Sequence, residues 1–313
     1  MRILVTGGAG FIGSNLVWSL LSGGHEMHVI DDMSTGNLGN LHPAALTRTL
    51  DITGPKLAQA VAEIAPEVVV HLAAQTSVPV SIQDPDRDRL VNVEGTRAVA
   101  RAAREAGARL MLSASSAAVY GEPSVVPLPE EAPKAPTNPY GRSKLEAESV
   151  IAGELRSSTT DFASLRFSNV YGPRQDWRGE GGVVAIFSAA MSRKETPVLY
   201  GTGRQTRDFI FVGDIVAAIE AAIEATRPLA LEGENGPAYN ISTGTETSLD
   251  ELVGALRMAA SYFGPVDKAE AREGDIERSA LDASKIRAAT GWYSRVPIDT
   301  GIERTVAWFA REA

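Results

Sequence analysis

A tyrosine and a lysine four positions apart could perform acid–base chemistry. Tyr140 and Lys144 open a segment, 140–155, whose pattern predicts a helix, so both side chains lie on one face, one turn apart. A lysine ammonium near a phenol favours the phenolate and lowers the phenol pKa. A tyrosine tuned in this way can act as a general base near neutral pH. The pair Ser115-Ser116 ends a predicted strand, where the Ser116 hydroxyl could share a substrate proton with Tyr140.

The start of the chain gives this pair its context, because the pattern Y-x-x-x-K is common by itself. A glycine-rich turn, Thr6–Gly13, joins a predicted buried strand, Arg2–Val5, to a predicted helix. Gly8, Gly10 and Gly13 meet the pattern G-x-G-x-x-G. Glycines let the backbone turn tightly and approach a pyrophosphate, and the N-terminus of the helix favours its negative charge. The turn therefore predicts a dinucleotide site.

Two acidic residues follow at the expected distance. Asp31 and Asp32 end the second predicted strand, about 20 residues after the glycine turn, where a carboxylate accepts hydrogen bonds from ribose hydroxyls. The negative charge of Asp31 would repel the 2′-phosphate of NADP. The sequence therefore favours NAD as the cofactor.

Composition restricts the remaining classes of function. The chain has 313 residues, 44% of them hydrophobic, and a net charge of −9, which argues against a nucleic-acid partner. It contains no cysteine, and its four histidines have no metal-binding spacing, so we expect no disulfide and no metal site. No apolar run is long enough to span a membrane, and Met1 leads directly into the first strand without room for a signal peptide. We expect a cytoplasmic protein.

Alternating strands and helices through the first half predict the fold class, which is α/β. Repeated βα units give a Rossmann-type doubly wound parallel sheet, and ligands bind at the carboxyl ends of its strands. The helices include a long one at Arg87–Ala106. The second half is less regular and predicts a smaller, discontinuous C-terminal substrate lobe over the sheet edge.

The order and spacing of these segments resemble the extended short-chain dehydrogenases/reductases. More narrowly, the chain resembles the NAD-dependent nucleotide-sugar epimerases of the UDP-glucose (UDP-galactose) 4-epimerase type. The resemblance covers roughly residues 1–287. The matching stretches are Thr6–Gly13, Asp51-Ile52, His71–Ala74, Asn92–Thr96, Ser115–Gly121, Tyr140 with Lys144, Asn169–Arg174, Gly201–Gly203, Arg207–Phe209 and Arg272–Asp275.

The resemblance implies a role for each of these positions. The catalytic residues would be Ser116, Tyr140 and Lys144. The NAD contacts would be Gly7, Gly10, Phe11, Ile12, Asp31, Asp32, Asp51, Ile52, Leu72, Ala73, Ala74, Gln75, Asn92, Tyr140 and Lys144. The UDP-sugar contacts would be Ser77, Ser116, Asn169, Val183, Tyr200, Arg207, Arg272, Asp275 and Ser279. The guanidinium groups of Arg207 and Arg272 suit a diphosphate.

The resemblance also implies a domain division and an assembly. Residues 1–168 would form the NAD-binding domain, with 209–242 returning to it. Residues 169–208 and 243–313 would form the nucleotide-sugar-binding lobe. A homodimer would form through the helices predicted at 87–106 and 140–155.

The implied reaction is an internal redox cycle on the sugar. Tyr140 takes the proton of the 4-hydroxyl, hydride passes from C4 to NAD, and the 4-keto sugar turns before hydride returns to its other face. Ser279 occupies a position that is often Tyr in epimerases restricted to simple hexoses. A smaller side chain there predicts a pocket with room for an N-acetyl group.

Three alternatives remain open. Sugar 4,6-dehydratases carry Asp-Glu beside the catalytic hydroxyl, whereas this chain has Ala117 and Ala118 after Ser116. A UDP-glucuronate 4-epimerase usually has a basic residue where Asp176 stands, although Arg178 could replace it. An NAD-sensing protein without catalysis would generally lack the tyrosine–lysine pair.

Overall fold

In a computed structural model of the protein, residues 1–178, 182–230, 237–271 and 276–312 are described. The strands are β1 (Arg2–Thr6), β2 (Glu26–Asp31), β3 (Leu46–Thr49), β4 (Val68–His71), β5 (Leu110–Ser116), β6 (Asp161–Phe167), β7 (Asn169–Tyr171), β8 (Val198–Tyr200), β9 (Thr206–Arg207), β10 (Phe209–Phe211), β11 (Ala238–Ile241), β12 (Thr247–Ser248) and β13 (Asp267–Ala269). The α-helices are α1 (Phe11–Ser22), α2 (Leu57–Ile64), α3 (Val78–Gln83), α4 (Pro85–Arg89), α5 (Thr96–Glu105), α6 (Pro139–Leu155), α7 (Val183–Ser192), α8 (Val212–Ile223), α9 (Leu249–Ala259), α10 (Ser284–Thr290) and α11 (Ile298–Glu312). Across these ranges, no helix combines the length and the apolar composition needed to cross a bilayer.

Seven parallel strands form the central sheet, in the order β11-β6-β5-β4-β1-β2-β3. From β1 the chain moves outward through β2 and β3, then crosses to β4 and continues toward the other edge. The strand order therefore reverses between β1 and β4, which opens a crevice at their carboxyl ends. This topology confirms the predicted doubly wound fold.

Helices cover both faces of the sheet, and β1 shows how its sequence fits this environment. Ile3 and Val5 pack in the core layer that contains α1 and α8. Leu4, which points to the opposite face, packs in the layer that contains α2, α5 and α6. A strand buried on both faces needs a continuous apolar run rather than an alternating one, which explains the sequence of β1.

A smaller lobe is built from α7, α9 and α11 with three two-stranded sheets, β7 with β10, β9 with β12, and β8 with β13. Its core contains Tyr171, Phe187, Leu252 and Ile302, which come from distant parts of the chain. The lobe is therefore discontinuous in sequence, as predicted.

The long helix predicted at Arg87–Ala106 is present as a continuous helical run that ends at Glu105, but it is not α-helical throughout. The structure has α4, then a π-helical segment, Leu90–Gly95, and then α5. Gly95, at the end of this segment, packs closely on Ile52, because a Cβ atom there would lie 2.7 Å from Cδ1 of Ile52. Apolar periodicity cannot detect a turn that is widened by one residue, whereas tertiary packing can enforce it.

Candidate active site

The glycine turn, which connects β1 to α1, packs against the end of β4. Gly7 has φ +74°, and a Cβ atom at this position would lie 2.6 Å from the backbone nitrogen of Ala73. A side chain at Gly13 would overlap the Gly7 carbonyl, and the Gly10 N–H donates to that same carbonyl at 3.2 Å. Only glycine fits at Gly7 and Gly13, and the turn leaves a partly exposed backbone cradle at the crevice.

Helix α1 begins directly after the cradle. Gly10 is its N-cap, and no side chain caps the first turn, so its backbone amides are available to an anion. Asp31 is buried at the end of β2, where its Oδ2 accepts from the Ala9 N–H and its Oδ1 from the Met33 N–H, both at 2.9 Å. These bonds fix the carboxylate at the rim of the turn and leave lone pairs for hydroxyl donors. The cradle, the open helix end and the carboxylate together fit a dinucleotide.

The polar side chains that follow β2 and β3 lie at the carboxyl ends of the strands, as the glycine turn does. The Asp32 carboxylate is exposed and accepts from the Ser34 hydroxyl at 2.6 Å. The Asp51 carboxylate is exposed and accepts from the Thr53 N–H and hydroxyl at 2.8 Å. Ile52 is buried beside the π-helical segment. This edge of the crevice thus combines two carboxylates with an apolar wall.

The segment after β4 is held by side chains from neighbouring elements. Leu72 donates its N–H to the Thr6 carbonyl at 3.0 Å, and Ala73 and Ala74 follow it into the crevice. Asn92 exchanges hydrogen bonds with the Gln75 backbone, accepting from its N–H at 2.9 Å and donating to its carbonyl at 3.0 Å.

Ser77 extends the same segment into α3. Its N–H donates to Oε1 of Gln75 at 2.6 Å, and its hydroxyl accepts from the Val80 N–H at the start of the helix. The backbone from Leu72 to Ser77 is therefore fixed where it lines the crevice.

His71 is a residue that the sequence reasoning missed. Its Nδ1 atom lies 2.7 Å from the Thr6 hydroxyl and its Nε2 atom 2.9 Å from the Thr96 hydroxyl. Burial, together with the Lys144 ammonium, lowers the pKa of His71 to about 3, so the imidazole is neutral. The sequence did contain a signal for His71, because it is a polar residue at the end of an apolar strand. A buried polar side chain needs hydrogen-bond partners, so such a residue is a candidate for a polar network.

Helix α6 positions the tyrosine and the lysine. Asn138 is its N-cap, accepting from the Gly141 N–H at 2.8 Å, which places Tyr140 in the first turn. Lys144 follows one turn later and is 7% exposed. Its Nζ donates to the Ala114 carbonyl of β5 at 3.1 Å and lies 6.0 Å from the centre of the Tyr140 ring. The predicted pair therefore shares one face of α6, turned toward the end of β5.

The pKa of Tyr140 differs in direction from the expectation. Burial of the phenol raises its pKa, hydrogen bonding with Ser116 lowers it, and the Asp88 carboxylate raises it again. Burial lowers the pKa of Lys144 to about 8, against the raising effects of Asp88 and Glu148. Burial is thus the largest cause of both shifts. Ser116, Tyr140 and Lys144 nevertheless come together at the carboxyl end of β5.

The candidate substrate residues lie mainly in the smaller lobe. Asn169 opens β7, Val183 opens α7, and Tyr200 ends β8. Arg207 lies in β9, whose Thr206 N–H donates to the Glu277 carbonyl at 2.9 Å. The segment that carries Ser279 therefore lies beside β9. Arg272 and Asp275 lie outside the described residues.

The parallel doubly wound sheet, the glycine turn and the tyrosine–lysine pair define a short-chain dehydrogenase/reductase. A family model described as GDP-mannose 4,6 dehydratase matches residues 4–305. A UDP-glucose 4-epimerase of Mycolicibacterium smegmatis is 41% identical over 100% of both chains.

Two solved structures share the whole architecture. A UDP-glucose 4-epimerase of Thermotoga maritima with UDP-glucose has a TM-score of 0.92 and 36% identity, covering 100% of this chain and 99% of its own. A UDP-glucose 4-epimerase of Thermus thermophilus in complex with NAD has a TM-score of 0.90 and 38% identity, covering 99% of each chain. The chain belongs to the GDP-mannose 4,6 dehydratase-like family of extended short-chain dehydrogenases/reductases, which includes the nucleotide-sugar 4-epimerases.

Proposed function

We propose that the protein is an NAD-dependent epimerase that inverts C4 of a UDP-hexose through a transient 4-keto sugar. The observation that carries the proposal is the meeting of Ser116, Tyr140 and Lys144 at the strand ends beside the glycine turn. The UDP-glucose and the NAD in the two related crystal structures support the choice of substrate and cofactor.

NAD would be held across the crevice by the two halves of the sheet. Its pyrophosphate would lie against the Gly7–Ile12 cradle, its adenosine beside Asp31, Asp32, Asp51 and Ile52, and its nicotinamide half along Leu72–Gln75. Asn92 supports that last segment from behind. When bound, NAD accepts a hydride from C4 and returns it to the opposite face of the ketone.

Residues of α6 and β5 would accept and return the proton of the sugar 4-hydroxyl. Tyr140 takes the proton of the sugar 4-hydroxyl as hydride leaves C4, and gives it back when the ketone is reduced. Ser116, whose hydroxyl acts on the pKa of the phenol, would hold the same oxygen in place. Lys144 would hold the nicotinamide ribose, and its positive charge favours the phenolate, which is the form of Tyr140 that can accept this proton.

The lobe would hold the nucleotide while the hexose turns. We propose that residues 1–168 and 209–242 form the cofactor domain and that 169–208 and 243–313 form the nucleotide-sugar lobe. The UDP contacts would come from Asn169, Val183, Tyr200, Arg207, Arg272 and Asp275, and the sugar contacts from Ser77, Ser116 and Ser279. Anchoring UDP keeps the ketone in the site during its rotation.

Epimerisation is favoured over 4,6-dehydration by the residues after Ser116. Dehydration needs an acid and a base near C5 and C6 of the sugar. Ala117 and Ala118 form a 3₁₀ turn in which the Ala118 N–H donates to the Ser116 hydroxyl, so only methyl groups stand at these positions. The site supplies no carboxylate there.

A homodimer would pair α5 and α6 with the same helices of a second copy. Exposed apolar side chains beside them, Ile82 and Leu90, support this assembly. Sedimentation of the purified protein at twice the chain mass is the expected result, and a monomer would reject it.

The test is a turnover panel with purified protein. UDP-galactose, UDP-glucose, their N-acetyl forms and UDP-glucuronate are offered separately, and the products are separated by chromatography. We expect interconversion of UDP-galactose and UDP-glucose without added cofactor. Turnover of UDP-glucuronate alone, loss of water from a substrate, or no turnover at all would each reject the proposal.

A further inference from the structure

Asp88 is a buried carboxylate beside the catalytic helix to which the proposed reaction assigns no role. It belongs to α4, Pro85–Arg89, whose other four residues are exposed. Asp88 is 1% exposed. A carboxylate is costly to bury without a cationic partner, so its position requires an explanation.

One oxygen of Asp88 organises the segment that lines the crevice. Its Oδ1 accepts from Nε2 of Gln75 at 2.7 Å and from Nδ2 of Asn92 at 3.1 Å. Nδ2 of Asn92 also lies 3.1 Å from the Ser143 hydroxyl, which donates to the Tyr140 carbonyl at 3.0 Å. Asp88 thus connects the nicotinamide side of the crevice with the first turn of α6.

Among the described residues, no cation is in direct contact with the Asp88 carboxylate. No salt bridge includes it over those ranges, and its Oδ2 has no hydrogen-bond partner there. Glu148, the other carboxylate near Lys144, forms a two-pronged pair with Arg166, at 2.9 Å from Nε and 2.7 Å from Nη2. The guanidinium therefore compensates the charge of Glu148, whereas within the described part of the chain no cation touches Asp88.

We propose that Asp88 is a positioning residue, the buried counter-charge of the Lys144 ammonium, and that it also holds Gln75 and Asn92 in place. The inference rests on the proposed function, because it assigns the ammonium a part in catalysis.

The causes of the Lys144 pKa shift support the pairing of Asp88 with Lys144. Burial lowers the pKa of Lys144 to about 8, and Asp88 is the first of the two carboxylates that oppose this. Without Asp88 the ammonium would lose its proton closer to neutral pH. The titratable groups that interact with Lys144 are Tyr140 and Glu148 of α6, His71 of β4 and Asp88 of α4. Arg166 of β6 contacts Glu148.

The substitution Asp88→Asn separates charge from hydrogen bonding. The amide oxygen can still accept from Gln75 and Asn92, while the negative charge is gone. The chain has six lysines, so the Cε signal of Lys144 can be followed by NMR in lysine-labelled protein and assigned with Lys144→Arg. We expect its titration midpoint to fall by about 0.5 to 1 pH unit in Asp88→Asn. Asp86→Asn, an exposed change in the same helix, should leave it unmoved.

The pH profile of kcat/KM is the second readout. The Asp88 charge raises the pKa of both Tyr140 and Lys144. Its removal should therefore move both the acidic and the alkaline limb of this profile to lower pH. A merely structural role would reduce the rate without moving the limbs. If Asp88→Asn does not fold, Asp88→Ser, which is neutral and smaller, is titrated with the same expected direction.

The outcomes distinguish this inference from the proposed function. A Lys144 midpoint that stays unchanged or rises in a folded neutral variant overturns the counter-charge. A lowered midpoint in a protein that turns over no UDP-sugar retains the counter-charge and rejects the proposed epimerase.

Discussion

The ammonium of Lys144 lies 6.0 Å from the centre of the Tyr140 ring, and the backbone sets this distance. The Tyr140 N–H donates to the Ser81 hydroxyl at 3.1 Å, and the Lys144 side chain is tied to the Ala114 carbonyl of β5. Neither anchor involves the phenolic oxygen. The hydroxyl of Tyr140 can therefore be removed without loosening the helix that carries it.

Tyr140→Phe should abolish epimerisation while the fold and cofactor binding persist. Loss of a general base typically costs about 100- to 10,000-fold in rate. Initial rates with UDP-galactose measure the loss, and Tyr293→Phe, at a half-exposed position outside the proposed site, is the control. A Tyr140→Phe protein that keeps more than about a tenth of the wild-type rate would contradict the assignment.

The purified protein should carry NAD. Asp31 is fixed at the rim of the glycine turn by the Ala9 and Met33 amides, where it would repel a 2′-phosphate. Denaturing the protein and identifying the released nucleotide by mass spectrometry is the measurement. Recovery of mainly NADP, or a demand for one added NAD per turnover, would count against this expectation.

Gly7→Ala should damage the cofactor cradle more than a matched change elsewhere. Gly24 has a similar φ, +80°, but no atom lies within 4 Å of its Cβ position. Gly24→Ala therefore reports backbone strain alone, about 1–2 kcal/mol. Gly7→Ala adds an overlap with the Ala73 backbone, so its free energy of unfolding should fall by at least about 1 kcal/mol more. Urea unfolding and the content of bound NAD should separate the two variants. Equal losses in Gly7→Ala and Gly24→Ala would reject the predicted overlap with the Ala73 backbone.

Because the imidazole of His71 is neutral in the folded protein, we expect it to contribute to the loss of folding stability at low pH. Its folded pKa of about 3 lies below the ordinary value of 6.5, so the unfolded chain takes up the proton first as pH falls. Stability from this group is complete above about pH 6.5 and is lost toward pH 3, by about 2 kcal/mol at pH 5. His71→Gln, which cannot titrate, should lose correspondingly less stability between pH 7 and pH 5 in urea unfolding. Parallel losses in the two proteins would show that His71 does not contribute.

Ser279 should leave room for an N-acetyl group beside the sugar. The wild type should turn over UDP-N-acetylglucosamine or UDP-N-acetylgalactosamine at least weakly, and Ser279→Tyr should remove this activity while sparing UDP-galactose. Ser279→Ala, which adds no ring, is the control. The informative quantity is the ratio of kcat/KM for the two substrate classes, since an apolar wall discriminates by about 1–3 kcal/mol unless it clashes. An unchanged ratio in Ser279→Tyr would place Ser279 outside the pocket.

The fold and the catalytic pair could be predicted because their signals are local. The turn Thr6–Gly13 must be glycine-rich to fit against β4, and buried strands such as β1 and β4 carry apolar runs. Tyr140 and Lys144 share a helix, so their spacing alone places them together. Each of these signals can be read within a short stretch of the sequence.

The network behind the pair depends on distant neighbours and could not be predicted. Asp88 stands in a run of charged residues that is typical of a solvated helix face, yet α4 turns this one side chain inward. Its partners Gln75 and Asn92 and the nearby Ser143 belong to three different elements. Only the packing of these elements on each other determines which polar side chain is buried.

The π-helical segment Leu90–Gly95 has a consequence for how insertions and deletions are tolerated. It keeps Asp88, Asn92 and Thr96, spaced by four, buried together up to the first residue of α5. Removing one residue from this wide turn would shorten it to an ordinary α-helical turn, so α5 would keep nearly its present rotation. Val99 and Ala103 would still face the core that they share with α2. A one-residue deletion in this segment should therefore be less harmful than a one-residue deletion inside α5, which would rotate the residues after it by about 100°.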